Sequence, residues 1–178
     1  MKIVFFGLAG TGTSSTGREL TKQLNLTFIS SGDMMRQKAQ EHNLSIYEFE
    51  ELCIKDSSYD LELDQRVKNY GKKHDNFIFE SRLAWYFIPD AIKIYFSCDS
   101  DLVYKRIAKR ECLPLNEAIK LTKQREAVVM KRYSIIYPHI AFPPNKNEFD
   151  FILDTTDDTI SESVEKIKSF LKKLNEKK

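Results

Sequence analysis

One stretch near the start restricts this chain more than any other: Gly7-Leu-Ala-Gly10-Thr11-Gly12-Thr13-Ser14-Ser15. It follows Lys2–Phe6, a short aromatic and β-branched run that reads as a buried parallel strand, and it opens a helical stretch to about Leu24. Gly7 and Gly12 have the spacing of the phosphate-binding pattern G-x-x-x-x-G-K-[S/T], and Ser14 stands where a hydroxyl ligates Mg²⁺. Glycines let the backbone turn its N–H groups inward as an anion nest, and the following helix adds its positive pole. Thr13 takes the place of the usual lysine. Threonine supplies a hydrogen bond but no charge, so another cation must meet the charge of a bound phosphate. A glycine turn without a ligand is the plain alternative, and the strand–loop–helix context argues against it.

The rest of the chain alternates in the same manner. Leu26–Ile29, Phe77–Phe79, Ile92–Phe96 and Phe149–Leu153 read as strands. Helices are expected over 33–70, over 101–111 and about 115–136 with Pro114 at the break, and from Thr159 to the end. Thr159-Ile-Ser-Glu162 has the form of a capping box, and Ile160, Val164, Ile167 and Leu171 repeat at helical spacing. This pattern predicts an α/β, three-layer domain with a mostly parallel central sheet. The core is expected at about 1–32, 71–103 and 137–178, with helical excursions at about 33–70 and 104–136.

Charge marks those two excursions. Net charge is only +2, which gives no support for a general nucleic-acid or membrane binder. Residues 41–64, however, carry eight acids against Lys55 alone, while residues 104–133 carry nine Lys/Arg against three Glu. Each is also compatible with a solvated helix face. Three widely spaced cysteines, Cys53, Cys98 and Cys112, favour a reduced compartment over a disulfide framework or zinc site. No apolar run approaches a membrane span and no cleavable leader is evident, so a cytoplasmic location is expected.

Further charged groups fall where an anion would be held. Ser31-Gly32-Asp33-Met34-Met35-Arg36 places a glycine at a helix entry and a guanidinium one turn inside. Glu80-Ser81-Arg82 lies at the C-terminal end of a strand, where α/β sheets bind ligands. Glu80 there suits an Mg²⁺-bound water and Arg82 a phosphate; a simple ion pair between the two is equally open. Arg106 and Arg110 sit one helical turn apart, and Arg125 and Arg132 two turns apart. Four such guanidiniums could close over a triphosphate, replace the charge missing at Thr13 and exclude water.

Together these segments resemble the nucleoside monophosphate kinases of the P-loop class, in particular the short cytidylate kinase-like family. The agreeing stretches, in the family's order from Met1 to about Ile167, are the glycine loop, Ile-Ser-Ser-Gly-Asp-Met-Met-Arg, Phe-Glu-Ser-Arg-Leu-Ala-Trp, Arg-Ile-Ala-Lys-Arg-Glu, Arg-Glu-Ala with Lys-Arg-Tyr, and Phe-Ile-Leu-Asp-Thr-Thr. Ser81 in place of a glycine and Met35 in place of an aromatic depart from the family pattern near the acceptor. The resemblance implies a P-loop NTPase fold with an acceptor-binding arm and a lid. It implies that Gly7, Gly10, Gly12, Thr13, Ser14 and Ser15, with Thr11 in the same loop, hold ATP phosphates and that Ser14 meets Mg²⁺, beside Glu80 as the second candidate for the ion. Ser31, Gly32, Arg36 and Arg82 would hold the acceptor's phosphate, and Arg106, Arg110, Arg125 and Arg132 would form the lid. Asp33 and Asp64 are candidate partners for a base's amino group, each better read as a cap or surface acid.

The expected activity is transfer of the ATP γ-phosphoryl group to CMP or dCMP. A kinase of AMP or another small acceptor is the alternative, as is a catalytically weak nucleotide-binding regulator or RNA-associated protein, given Thr13. The expected partners are small-molecule nucleotides, with no membrane, no stable nucleic-acid complex and a monomeric state.

Overall fold

The alternating runs form a five-stranded sheet in the computed structural model, which describes residues 1–176. Strands β1 (Lys2–Gly7), β2 (Thr27–Ser30), β3 (Phe77–Glu80), β4 (Ile92–Ser97) and β5 (Phe151–Asp154) take the order β2-β3-β1-β4-β5. Every pairing is parallel. The last strand begins at Phe151 rather than Phe149. A 3-10 turn at Lys146–Glu148 precedes it, and the Asp150 carboxylate accepts from the Lys93 N–H at 2.8 Å at its start.

Strand β1 runs up the centre, and its alternation feeds two cores. Ile3 and Phe5 pack with Leu20 of α1 (Thr13–Leu24) and with Val164, Ile167 and Leu171 of α8 (Ile160–Glu176). Val4 and Phe6 face the other layer, built from Phe77, Phe79, Val67 of α4 (Ser58–Lys73), and Leu83 to Ile88 around α5 (Ala84–Phe87). The Thr159–Glu162 capping box is formed, with the Thr159 N–H donating to Glu162 at 2.8 Å and the Glu162 N–H to Thr159 Oγ1 at 3.2 Å.

Two smaller clusters give the excursions cores of their own. Met35 and Ala39 of α2 (Ser31–Glu41) pack on Phe49 and Cys53 of α3 (Ile46–Lys55). Val103 and Ile107 of α6 (Ser100–Glu111) pack on Ala118 of α7 (Leu115–Ile136). Helix α2 starts at Ser31, two residues before the expected Asp33, because the Ser30 hydroxyl accepts from the Asp33 N–H and caps it. Gly32 therefore lies inside the first turn. In a parallel sheet all C-terminal strand ends share one edge, so Gly7, Ser30, Glu80 and Asp154 converge there. Among the described residues no helix is long and apolar enough to cross a membrane.

Candidate active site

A cavity of about 680 Å³ opens along that edge, lined by the glycine loop, the start of α2, Glu80 to Arg82, and Arg106, Arg110, Arg125 and Arg132. Its first wall is backbone. Gly10 and Gly12 hold φ of 83° and 88°, in the left-handed region that other residues enter at a cost. With Gly12 in that geometry as the N-cap, α1 starts with no side-chain cap and no acid in its first turn. Its N–H groups and positive pole are thus left for an anion.

The loop is held from behind. Thr11 Oγ1 donates to the Leu8 carbonyl at 2.7 Å, and the buried Thr155 hydroxyl donates to the Thr11 carbonyl at 2.9 Å. Arg106 reaches the same place, its Nη2 donating to the Thr155 carbonyl at 2.8 Å and its Nη1 to the Gly10 carbonyl at 3.4 Å and Cys98 Sγ at 3.2 Å. This guanidinium braces the loop while lining the cavity.

Thr13 and Ser14 both turn their hydroxyls to Glu80. Thr13 Oγ1 donates to Glu80 Oε1, and Ser14 Oγ lies 2.7 and 2.8 Å from the two carboxylate oxygens. The structure thus joins Ser14 and Glu80 across 66 residues of sequence, and Glu80 does not pair with Arg82. A hydroxyl and a carboxylate are hard oxygen donors that suit Mg²⁺. No group of three or more His, Cys, Asp or Glu side chains is gathered for a metal among the described residues. An ion here would complete its shell with phosphate oxygens and water, as Mg²⁺ does.

The opposite wall is built from charged side chains. Trp85 Nε1 donates to the Arg82 carbonyl at 3.1 Å and fixes the backbone that projects Arg82. Arg82 is partly buried and, among the described residues, has no carboxylate within ion-pair distance. Burial first, and then the like charge of Arg125, hold its pKa below the ordinary arginine value. A cation in that position favours an anionic partner. Arg36 lines the cavity from α2, 3.3 Å from Asp33, and a Cβ at Gly32 would stand only 3.2 Å from Arg36 Nη1. Asp33 is an exposed acid in the first turn of α2, paired with Arg18 and Arg36.

Arg125 and Arg132 are brought to the same cavity, but not as free cations. Arg125 pairs with buried Glu50, its Nη2 at 2.7 Å from Oε1 and its Nε at 3.0 Å from both oxygens. Burial raises the Glu50 pKa, and the Arg125 hydrogen bonds and charge outweigh it, leaving the carboxyl below its usual range. Arg132 forks onto Asp60 at 2.9 and 2.5 Å, both side chains being 3% exposed. Arg110 stays exposed beside Glu111 at 2.9 Å.

Two expectations are corrected here. The acidic run 41–64 and the basic run 104–133 are not two solvated faces: Glu50, Asp60 and Asp64 are buried, and the first two neutralise Arg125 and Arg132 across the cavity wall. Asp64 is no surface acid either. It is 4% exposed and accepts from the Tyr137 hydroxyl at 2.7 Å. Burial raises its pKa to about 6, against the opposing pull of that hydrogen bond. Sequence reasoning also missed Thr155, Tyr133 and Glu50 as cavity-lining groups. The complementary charge of the two runs was the available signal for Glu50 and Asp60.

A parallel sheet in this order, with a phosphate loop after its central strand, defines the P-loop class of nucleotide-binding proteins. A family model described as an AAA domain matches residues 3–121. The cytidylate kinase of Methanosphaera stadtmanae is 33% identical over 168 residues, covering 94% of this chain and 96% of that protein. The cytidylate kinase of Methanobrevibacter smithii is 34% identical over 94% and 95% of the two chains. An S-adenosylmethionine-dependent nucleotide dehydratase of Lacinutrix mariniflava is 31% identical over 98% of this chain but 36% of its own length. In fold, shikimate kinase from Bacteroides thetaiotaomicron superposes with a TM-score of 0.65 at 13% identity, over 97% of this chain and 98% of that one. The chain belongs to the P-loop cytidylate kinase-like family.

Proposed function

We propose that this protein transfers the γ-phosphoryl group of ATP, with Mg²⁺, to a pyrimidine nucleoside monophosphate, CMP or dCMP. The observation that carries this reading is Arg82, a cavity-lining guanidinium without a carboxylate partner among the described residues, facing the glycine loop's cavity beside Arg36. An acceptor that already carries phosphate supplies the missing counter-charge. A neutral acceptor without phosphate would leave Arg82 partly buried and unpaired. The cytidylate kinases among the relatives support the choice of base.

In this reading the glycine loop and the N-terminus of α1 cradle the donor phosphates, while Ser14 and Glu80 hold Mg²⁺. The ion supplies charge neutralisation on the phosphoryl oxygens. Arg36 and Arg82 orient the acceptor phosphate, with Ser31 and Gly32 shaping its entry. No side chain forms a covalent intermediate, and alignment of two clamped phosphates suffices for in-line transfer. Arg106 and Arg110 bring positive charge to the donor side, where Thr13 supplies none. Residues 33–70 act as the acceptor arm and 104–136 as the lid on a core of 1–32, 71–103 and 137–178. A monomer acting on small nucleotides is the working unit.

The test is a panel of CMP, dCMP, UMP, AMP, GMP and shikimate with ATP and Mg²⁺, reading the phosphorylated products. Strong transfer to CMP or dCMP supports the reading. Transfer to AMP alone or to shikimate alone overturns the acceptor. ATP binding without transfer to any of the six favours the regulatory alternative.

A further inference from the structure

Tyr133 and Tyr137 lie one turn apart at the end of α7, where the Tyr137 N–H donates to the Tyr133 carbonyl at 2.8 Å. Their hydroxyls are used differently. Tyr137 donates to the buried Asp64 carboxylate at 2.7 Å. Tyr133 lines the active-site cavity, and no acceptor among the described residues meets its hydroxyl. The ring itself is held. It meets Phe142 edge-on at 5.0 Å and packs on the cluster that contains Leu83, Ala84 and Trp85. Those three residues directly follow Arg82, and the Trp85 indole donates to the Arg82 carbonyl at 3.1 Å. One packing layer thus sets the Tyr133 phenol and the Arg82 guanidinium on the same stretch of cavity wall.

A tyrosine hydroxyl drawn away from water ordinarily has a partner. Tyr133 is partly buried, and the open space at its hydroxyl is the cavity. Burial pushes the phenol well above its ordinary pKa, and the nearby positive charge of Arg82 opposes this without overcoming it. The group therefore stays protonated and offers an O–H. Arg82 offers a charge that no carboxylate among the described residues meets. A neutral donor next to an unpaired cation suits an anion with several oxygens.

Resting on the kinase reading above, we propose that the Tyr133 hydroxyl is a direct substrate contact, donating to a nonbridging oxygen of the acceptor's phosphate alongside Arg82. Such a phosphate carries three acceptor oxygens. One of them attacks the γ-phosphorus of the donor, so the group has to be held by the others. A new bond forms from that oxygen to phosphorus as the bond to the β–γ bridging oxygen breaks, and the electron pair leaves with ADP. Tyr133 keeps its proton throughout. A further guanidinium in its place would draw charge from the attacking oxygen, whereas a phenol orients the phosphate and adds no charge.

The experiment measures KM and kcat for CMP, KM for ATP and the thermal midpoint in wild type and Tyr133→Phe. Phenylalanine keeps the ring against Phe142 and removes only the oxygen. KM for CMP should rise roughly ten- to hundredfold, the loss of one hydrogen bond to a charged group, while KM for ATP and the thermal midpoint stay unchanged. If wild type phosphorylates CMP and the variant keeps the same KM, the contact is wrong and the kinase reading stands. A rise in KM for both substrates together with a lower thermal midpoint assigns Tyr133 to packing and also overturns the contact. If wild type phosphorylates no monophosphate, the kinase reading fails and the contact with it. Should the variant not fold, a ring-fluorinated tyrosine at position 133 retains both ring and hydroxyl. Its fluorine NMR signal should move on adding CMP and stay in place on adding cytidine; the same response to both, or to neither, overturns the proposal.

Discussion

The two walls of the cavity face phosphate with different materials. On the donor side the groups are backbone N–H, hydroxyls and one helix pole, with Arg106 bracing the loop through the Gly10 carbonyl and Thr155. On the acceptor side they are guanidiniums and carboxylates, Arg36, Arg82, Arg125 and Arg132 against Glu50, Asp60 and Asp64. The two walls draw their stability from different sources. A backbone nest is fixed by local glycine geometry, here the left-handed Gly10 and Gly12. The charged wall is balanced only when its ions find partners, because unpaired charge in a partly dry cavity is expensive. Arg125 and Arg132 are balanced by buried acids and Arg36 by the exposed Asp33, and Arg82 is left over.

Substitutions on the charged wall should therefore have the larger effects. Asp60→Ala strands Arg132 at a site where both side chains are 3% exposed. It should lower the unfolding free energy by about 3–5 kcal/mol in denaturant titration. Arg82→Ala breaks no ion pair and should leave the thermal midpoint unchanged or higher. Its kcat/KM for the monophosphate should fall by roughly 10²–10³, the loss of a charge-assisted contact to the reacting group.

Asp64→Asn sharpens the comparison from the opposite direction. Burial lifts the pKa of Asp64 in the folded state to about 6, above the ordinary aspartate value of 3.8. Proton uptake thus favours the folded state, and stability from this group is greatest below the unfolded value and declines as pH rises from about 4 to 6. The variant should therefore be more stable than wild type at pH 7.5, by about 1–3 kcal/mol, with the gain vanishing near pH 4. Calorimetric melts across that range read it out. On the donor wall, Arg106→Ala should raise KM for ATP by only about tenfold, because Thr155 still bonds the Thr11 carbonyl at 2.9 Å. A larger loss in Arg106→Ala than in Arg82→Ala would reverse the contrast between the walls.

The same contrast explains what the sequence made legible. The glycine loop, the strand before it and the capping box at Thr159 are local, and a few consecutive residues specify each. Parallel order followed from the alternation of strands and helices. The hydroxyl–carboxylate pair Ser14–Glu80 was legible because strand ends converge in such a sheet. The charged wall was harder. Glu50 and Arg125 are 75 residues apart, and Asp60 and Arg132 are 72 apart. Their pairing depends on how α3 and α4 pack against α7, which periodicity within one helix does not encode. The surplus of acid in one excursion and of base in the other pointed to complementarity, but did not say which residues are buried. The burial of Asp64 left no local signal, since its hydrogen-bond partner Tyr137 lies beyond the end of α7, 73 residues away.

The most direct test follows the label from γ-³²P-ATP in the presence of Mg²⁺ and either CMP or cytidine. Label should appear in CDP when CMP is supplied and in no nucleoside product when cytidine is supplied, because Arg82 requires a phosphate on the acceptor. Equal transfer to cytidine, or label released only as inorganic phosphate with CMP present, would contradict it.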